Sequence, residues 1–170
     1  GQTMSLKASL GSKTNNYELS FTEPFLFDLP LWFKADVWKY TKEYDSYTLD
    51  TKGVGATVGH PLFWKIFGYV GYKFSVDNIQ DINYTTASYY IKAQEGERTT
   101  SAISFTLSLD TTNDIMFPSK GVKASASVQY AGMPLGGNTK FIKYAASATG
   151  FTPLFWDMVF SLKGQIGYLQ

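Results

Sequence analysis

From residue 121 to 130 every second side chain is apolar: Val122, Ala124, Ala126, Val128 and Tyr130, with Lys123, Ser125, Ser127 and Gln129 between them. A period of two sends alternate side chains to opposite faces of an extended strand. The same alternation returns as Ile103, Phe105, Leu107 and Leu109 against Ser104, Thr106, Ser108 and Asp110. It returns again as Met158, Phe160, Leu162, Ile166 and Tyr168 against Ser161, Lys163 and Gln165. Met4, Leu6, Ala8 and Leu10 alternate with Ser5, Lys7 and Ser9, and Val70, Tyr72, Phe74 and Val76 with Lys73 and Ser75. Over the chain this predicts nine strands, near 2–11, 16–24, 31–42, 46–60, 66–77, 99–111, 121–132, 138–152 and 157–169. Each runs roughly 8–15 residues, longer than the ~5–6 of globular strands and suited to a tilted membrane crossing. Helix-period patterning is almost absent.

The turns repeat as well. Glu23-Pro24-Phe25-Leu26, His60-Pro61-Leu62-Phe63-Trp64 and Thr152-Pro153-Leu154-Phe155-Trp156 are versions of one phrase, and Phe117-Pro118-Ser119-Lys120-Gly121 marks a further turn. Proline cannot donate to a strand ladder and belongs where a strand ends. The Pro24–Pro61 and Pro118–Pro153 spacings are each about one hairpin, so these turns share one end of the sheet. That places Phe25, Phe27, Trp32, Phe63, Trp64, Phe155 and Trp156 at one level, as an interfacial aromatic girdle requires. The opposite connections are polar: 12–15, 43–46, a long stretch near 77–98, and 134–138. Short turns at one end and longer loops at the other match the periplasmic and extracellular sides of a membrane barrel. The N-terminus then lies on the periplasmic side, and an odd strand count sends the C-terminus outside. The fold class read here is all-β, an antiparallel transmembrane β-barrel of about nine meander strands.

Composition fits this wall. Aromatic residues are 17% and charged residues 17%, against about 25% charged in an average soluble domain. No apolar run approaches the ~20 residues of a membrane-spanning helix. A net charge of +1 gives no electrostatic case for nucleic acid. Cysteine is absent, which excludes disulfides, thiolate metal sites and cysteine nucleophiles. The first residues already alternate, so no signal peptide is read and the chain is mature or a fragment. Residues 1–170 read as a single unit.

Candidate chemistry is thin. His60, the sole histidine, precedes Pro61 at a strand end and reads as a turn residue. Gly53-Val54-Gly55-Ala56-Thr57-Val58-Gly59 resembles a phosphate loop but is followed by no helix pattern; glycines that bend or thin a barrel wall fit better. Asp110 and Asp114 could hold a cation, but flanking a tight turn they more simply cap its amides. Glu95-Gly96-Glu97-Arg98 reads as a solvated loop face. Asn83-Tyr84-Thr85 fits a glycosylation sequon by chance. Lys7, Lys73, Lys123 and Lys163 share the polar face, lining a charged lumen or pairing with Glu18 and Asp36. No catalytic residue, cofactor or metal ligand is expected.

The stretch Asp110-Thr111-Thr112-Asn113-Asp114-Ile115-Met116-Phe117-Pro118-Ser119-Lys120-Gly121 resembles the barrel of the Omp85 superfamily. That family shows an Asp-rich turn, then Phe-Pro-Thr-x-Gly, then an alternating strand; here Ser119 replaces Thr, and Thr112 stands where Arg is frequent. Tyr17-Glu18-Leu19-Ser20-Phe21-Thr22-Glu23-Pro24-Phe25 is similar to a family strand that closes on Thr/Ser, Asp/Asn and Pro. The resemblance singles out Phe21, Thr22, Pro24, Asp110, Asp114, Phe117, Pro118 and Gly121 as structural motif residues. It implies roughly the third to eleventh strands of a sixteen-stranded barrel, with no Val-Arg-Gly-Phe motif and no POTRA domains in the segment. It also implies a parent in the bacterial outer membrane that folds and inserts unfolded barrel clients together with lipoprotein partners, without cofactor or nucleic acid. Three alternatives stay open: a two-partner secretion pore, a small independent barrel acting as a passive pore, and a soluble lipocalin-like barrel with its apolar face inward.

Overall fold

The computed structural model describes residues 1–156 and 158–170. Nine strands form one antiparallel sheet in sequence order: β1 (Thr3–Leu10), β2 (Thr14–Glu23), β3 (Trp32–Glu43), β4 (Thr48–Phe63), β5 (Ile66–Gln80), β6 (Gly96–Asp110), β7 (Gly121–Ala131), β8 (Phe141–Pro153) and β9 (Val159–Leu169). Every expected strand is present. The expected start of the last one, residue 157, lies outside the described residues. Among the described residues the one helical turn is α1 (Tyr89–Lys92), and Leu26–Asp28 form a tight turn in which Phe27 and Asp28 have left-handed backbones.

Two boundaries and one loop expectation are corrected. β4 does not stop before Pro61: it runs through His60 and Pro61 to Phe63, so His60 is a strand residue rather than a turn residue. The ladder explains how. β3 stops pairing with β4 at Trp32↔Gly59, so Pro61 has only β5 beside it, and the register shifts between Pro61 and Phe63. Proline is tolerated at such an edge and bulge because no neighbour needs its missing donor. β6 begins at Gly96, since Glu97 and Arg98 pair with Asn78 and Asp77 of the lengthened β5; the cluster read as a loop is strand apart from Glu95. Connection lengths also fail to separate the two ends, because 24–31 and 111–120 at the proline end are as long as most at the other. The kind of aromatic residue separates them: phenylalanine and tryptophan gather in the connections of the proline end, whereas those of the other end carry only tyrosine among polar residues.

The two faces have opposite character. Leu19, Val37, Val54 and Phe74 are successive cross-strand partners, as are Phe33, Val58, Val70, Phe105, Val128 and Tyr144. Along the intervening row run Asp36, Gly55 and Lys73. The apolar face is the more exposed: Val37 is 52% and Phe105 50% accessible, whereas Asp36, Thr57 and Ser104 are half-buried. The sheet therefore curls toward its polar side. Among the described residues the buried apolar side chains are only Ala87, Ala102 and Ala131. A lipocalin-like barrel would turn its large apolar side chains inward, so that alternative is excluded. A wall that presents its apolar face outward is stable where lipid, not water, meets that face.

Candidate functional site

The polar face holds a hollow of about 450 Å³ lined by Glu18, Asp36, Trp38, Thr57, Lys73 and Gln129 among others. Lys34 Nζ lies 3.9 Å from Asp36, and Lys73 Nζ lies 4.9 Å from the centre of the Trp38 ring. Lys7 is the cross-strand partner of Glu18, but among the described residues the ion pairs formed are Lys34–Asp36, Lys123–Asp110 and the exposed Lys13–Asp45. Among the described residues, Asp36 is paired with Lys34 and Lys123 with Asp110, while none of Lys7, Lys73, Lys123 and Lys163 pairs with Glu18 or Asp36. The glycines of β4 make room for aromatic rings on this face. Trp38 is the partner of Gly53, and Tyr69 the partner of Gly59. A Cβ on Gly53 would lie 2.4 Å from the Trp38 ring, and one on Gly59 2.6 Å from the Tyr69 ring. Trp32 closes over the same spot, meeting Tyr69 edge-on with centroids 5.7 Å apart.

That position corrects one expectation. Trp32 shares the face of Lys34 and Asp36, so its ring belongs to the polar side and not to a lipid-facing girdle. The remaining girdle candidates, Phe25, Phe63, Trp64, Phe155 and Trp156, lie at the proline end and are more than 60% exposed. The repeated phrase is also a repeated conformation. The third residue after each proline has a left-handed backbone: Phe27 at φ 56°, Trp64 at 52° and Trp156 at 57°. Bulky residues resist that region because Cβ crowds the following carbonyl. Phe21 lies between Met4 and Ala35 on the apolar face, and Thr22 between Thr3 and Lys34 on the polar one. The Glu23 carboxylate accepts from the Phe25 amide at 3.0 Å and closes the turn over Pro24.

The Asp-rich turn is held by its own side chains. Asp110 accepts from the Thr112 amide at 2.9 Å and its hydroxyl at 2.5 Å, with Lys123 Nζ at 3.7 Å. Asp114 accepts from the amides of Met116 and Phe117 at 2.8 and 2.9 Å. The Phe117 and Met116 amides hold the Asp114 carboxyl below the usual carboxylate range. These carboxylates cap the amides of their own turn. Asn113, which carries no role in the sequence reading, is central. Its side-chain oxygen accepts from the Ser119 and Lys120 amides at 3.0 and 2.9 Å, and its amide donates to Ser119 Oγ at 2.8 Å. Short-range Asx spacing gives no signal for this role, since the partners lie six and seven residues on. Pro118 is half-buried while Phe117 stands exposed. Gly121 has φ 114°, and a Cβ there would lie 2.6 Å from the Thr111 carbonyl oxygen, so no other residue fits without strain.

At the opposite end the 81–95 loop is tied down. The Asn83 amide donates to the Ser46 carbonyl at 2.9 Å, and its side chain accepts from Thr85 at 3.0 Å. Ser88 caps α1 by accepting from the Ile91 amide. Tyr84 donates to the Glu95 carboxylate.

The model of the Omp85 superfamily domain matches residues 1–170. An outer membrane protein assembly factor BamA from Nitratidesulfovibrio vulgaris is 30% identical over 145 residues, covering 84% of this chain and 18% of that protein. The sorting and assembly machinery component 50 homolog of Xenopus tropicalis is 26% identical, covering 94% of this chain and 34% of its own. The crystal structure of BamA from Haemophilus ducreyi lacking POTRA domains 1–3 superposes with a TM-score of 0.78 at 21% identity, over 99% of this chain and 35% of that one. The chain spans about a fifth to a third of the length of these relatives.

Proposed function

The chain belongs to the Omp85 superfamily, and from that premise we propose that it is nine consecutive wall strands of an outer-membrane protein assembly factor. Residues 1–170 form one partial barrel unit within a larger, sixteen-stranded barrel. The observation that carries the reading is the inverted polarity of the sheet, apolar outward and charged inward, over a family match that spans every residue. It is an integral wall of the bacterial outer membrane. Closed barrels satisfy every backbone group inside lipid, but an unfolded client strand does not. An assembly factor lowers that barrier by thinning the bilayer beside its wall and offering a strand edge as a template. In this scheme the segment supplies lumen lining, lipid contact and a surface loop. Clients and lipoprotein partners engage the parent protein, and no bond is made or broken by these residues.

The test uses the full-length parent in lipid vesicles with a urea-unfolded outer-membrane barrel protein as client. Folding of the client, read as its heat-resistant electrophoretic mobility, should proceed faster than in protein-free vesicles. An unchanged rate would overturn the reading.

A further inference from the structure

The apolar face carries one pair of charges that its lipid setting does not explain. Lys39 and Lys52 are direct cross-strand partners on β3 and β4, and the same row continues to Tyr17 on β2 and Val76 on β5. Both lysines are exposed, on the same face as Val37 and Val54. Two like charges directly opposite destabilise a strand pair, and lysine facing lipid adds a further cost that falls toward the membrane boundary. Neither takes part in any ion pair formed among the described residues. The nearest acid on this face, Asp50, already accepts from Thr41 at 2.8 Å. The two lysines themselves line one side of a hollow of about 480 Å³, whose other lining residues include Leu6, Leu19, Val37, Val54 and Phe74. Beyond it, toward the polar-loop end, the row turns to Thr41, Asp50 and Asn78. The lysines thus mark the boundary where apolar wall becomes polar.

We propose that Lys39 and Lys52 together bind the phosphate of a phosphorylated lipid in the leaflet at the polar-loop end, with one of its acyl chains lying in the hollow they line. A shared phosphate converts the repulsion between the lysines into attraction, and the hollow matches an acyl chain in chemistry and in position. The proposal rests on the membrane-wall reading above, but not on any activity toward clients.

The test measures lipid retention by the full-length parent, using native mass spectrometry in detergent. The probes are lipid A bearing its phosphates, the same lipid enzymatically dephosphorylated, and inorganic phosphate. At about tenfold per 1.4 kcal/mol and near-surface lysine strengths, Lys39→Gln/Lys52→Gln should weaken retention of the phosphorylated lipid roughly 30-fold, and each single change about fivefold. Lys39→Arg/Lys52→Arg should retain it. The dephosphorylated lipid should bind weakly to wild type and variants alike, and millimolar inorganic phosphate should not displace the intact lipid. Equal retention of phosphorylated and dephosphorylated lipid by the wild type overturns the site, and does so even where the glutamine variant fails to fold. Retention unchanged in a folded glutamine variant overturns it too, as does displacement by inorganic phosphate alone. A parent that stays monodisperse in water without detergent would instead overturn the membrane-wall reading.

Discussion

Replacing Gly59 by alanine isolates the packing of one aromatic ring against one missing side chain. The new Cβ would stand 2.6 Å from two carbons of the Tyr69 ring and 3.5 Å from Trp32, where carbon atoms prefer about 3.5–4.0 Å. Tyr69 must rotate or shift by about 1 Å. An off-rotamer ring costs about 0.5–1.5 kcal/mol, and the edge-on contact with Trp32 is worth another ~0.5–1.5 kcal/mol. Alanine returns about 0.5–1 kcal/mol relative to glycine within a strand. The net expectation is a loss of about 1–2 kcal/mol. The three atoms nearest the new Cβ all belong to side chains, and the two closest to Tyr69, so removing that ring should remove the penalty. In a Tyr69→Ala background, Gly59→Ala should be neutral or stabilising by up to about 1 kcal/mol, giving a coupling near 2 kcal/mol. Gly53 provides the contrast. Its Cβ would also lie 2.7 Å from the Phe74 carbonyl oxygen, so Trp38→Ala should rescue Gly53→Ala only in part. Urea unfolding of the full-length protein in lipid vesicles, followed by tryptophan emission, reads all the variants. An equal cost for Gly59→Ala with and without the Tyr69 ring would refute the account of glycine as the partner of an aromatic.

Three further outcomes follow from the same geometry. With the other tryptophans replaced by phenylalanine, Trp64 and Trp156 should each be quenched strongly by lipids brominated near the headgroup and weakly by those brominated near the chain end. Trp32, on the polar face, should resist both, and quenching of Trp32 equal to that of Trp64 would reverse its reassignment. Gly121→Ala should destabilise the 111–120 turn by more than the ~1–2 kcal/mol of holding a positive φ, since its Cβ also presses on the Thr111 backbone, and cleavage there by an added protease should accelerate; an unchanged rate contradicts it. The Asp114 carboxyl is held below its unfolded value, so its contribution is full above about pH 4 and is lost as pH falls through the lowered folded value. Hydrogen-exchange protection of the Met116 and Phe117 amides should therefore drop below that pH in the wild type. In Asp114→Ala it should already be low at neutral pH, and matching profiles in the two proteins would count against the cap.

Period-two alternation was enough to read all nine strands because each has one lipid-like and one polar face, and a shift of one residue would exchange them. Boundaries were harder where pairing depends on a neighbour. Nothing local to Glu97 says that Asn78 waits opposite it, and nothing local to Pro61 says that β3 has already ended. The aromatic turns were legible as a repeat, but the face of Trp32 was not, because aromatic residues suit both an interface and a glycine-lined lumen. The turn from Asp110 to Gly121 was legible through its carboxylates and glycine. Asn113 was missed because its partners lie six and seven residues away, beyond the short reach of ordinary Asx turns. The Lys39–Lys52 pair stayed hidden until the β3–β4 register set the two side by side.

That register runs unbroken from β1 to the end of β9 apart from the shift near Pro61. If any hairpin slipped by one residue, Lys73, Lys123 or Lys163 would turn outward into hydrocarbon, at about 2–4 kcal/mol for each lysine near the midplane. A misaligned wall would thus be rejected by the bilayer before it could be rejected by its own packing. The membrane acts as a proofreader of strand alignment, and the lysines of the lumen are the characters it reads.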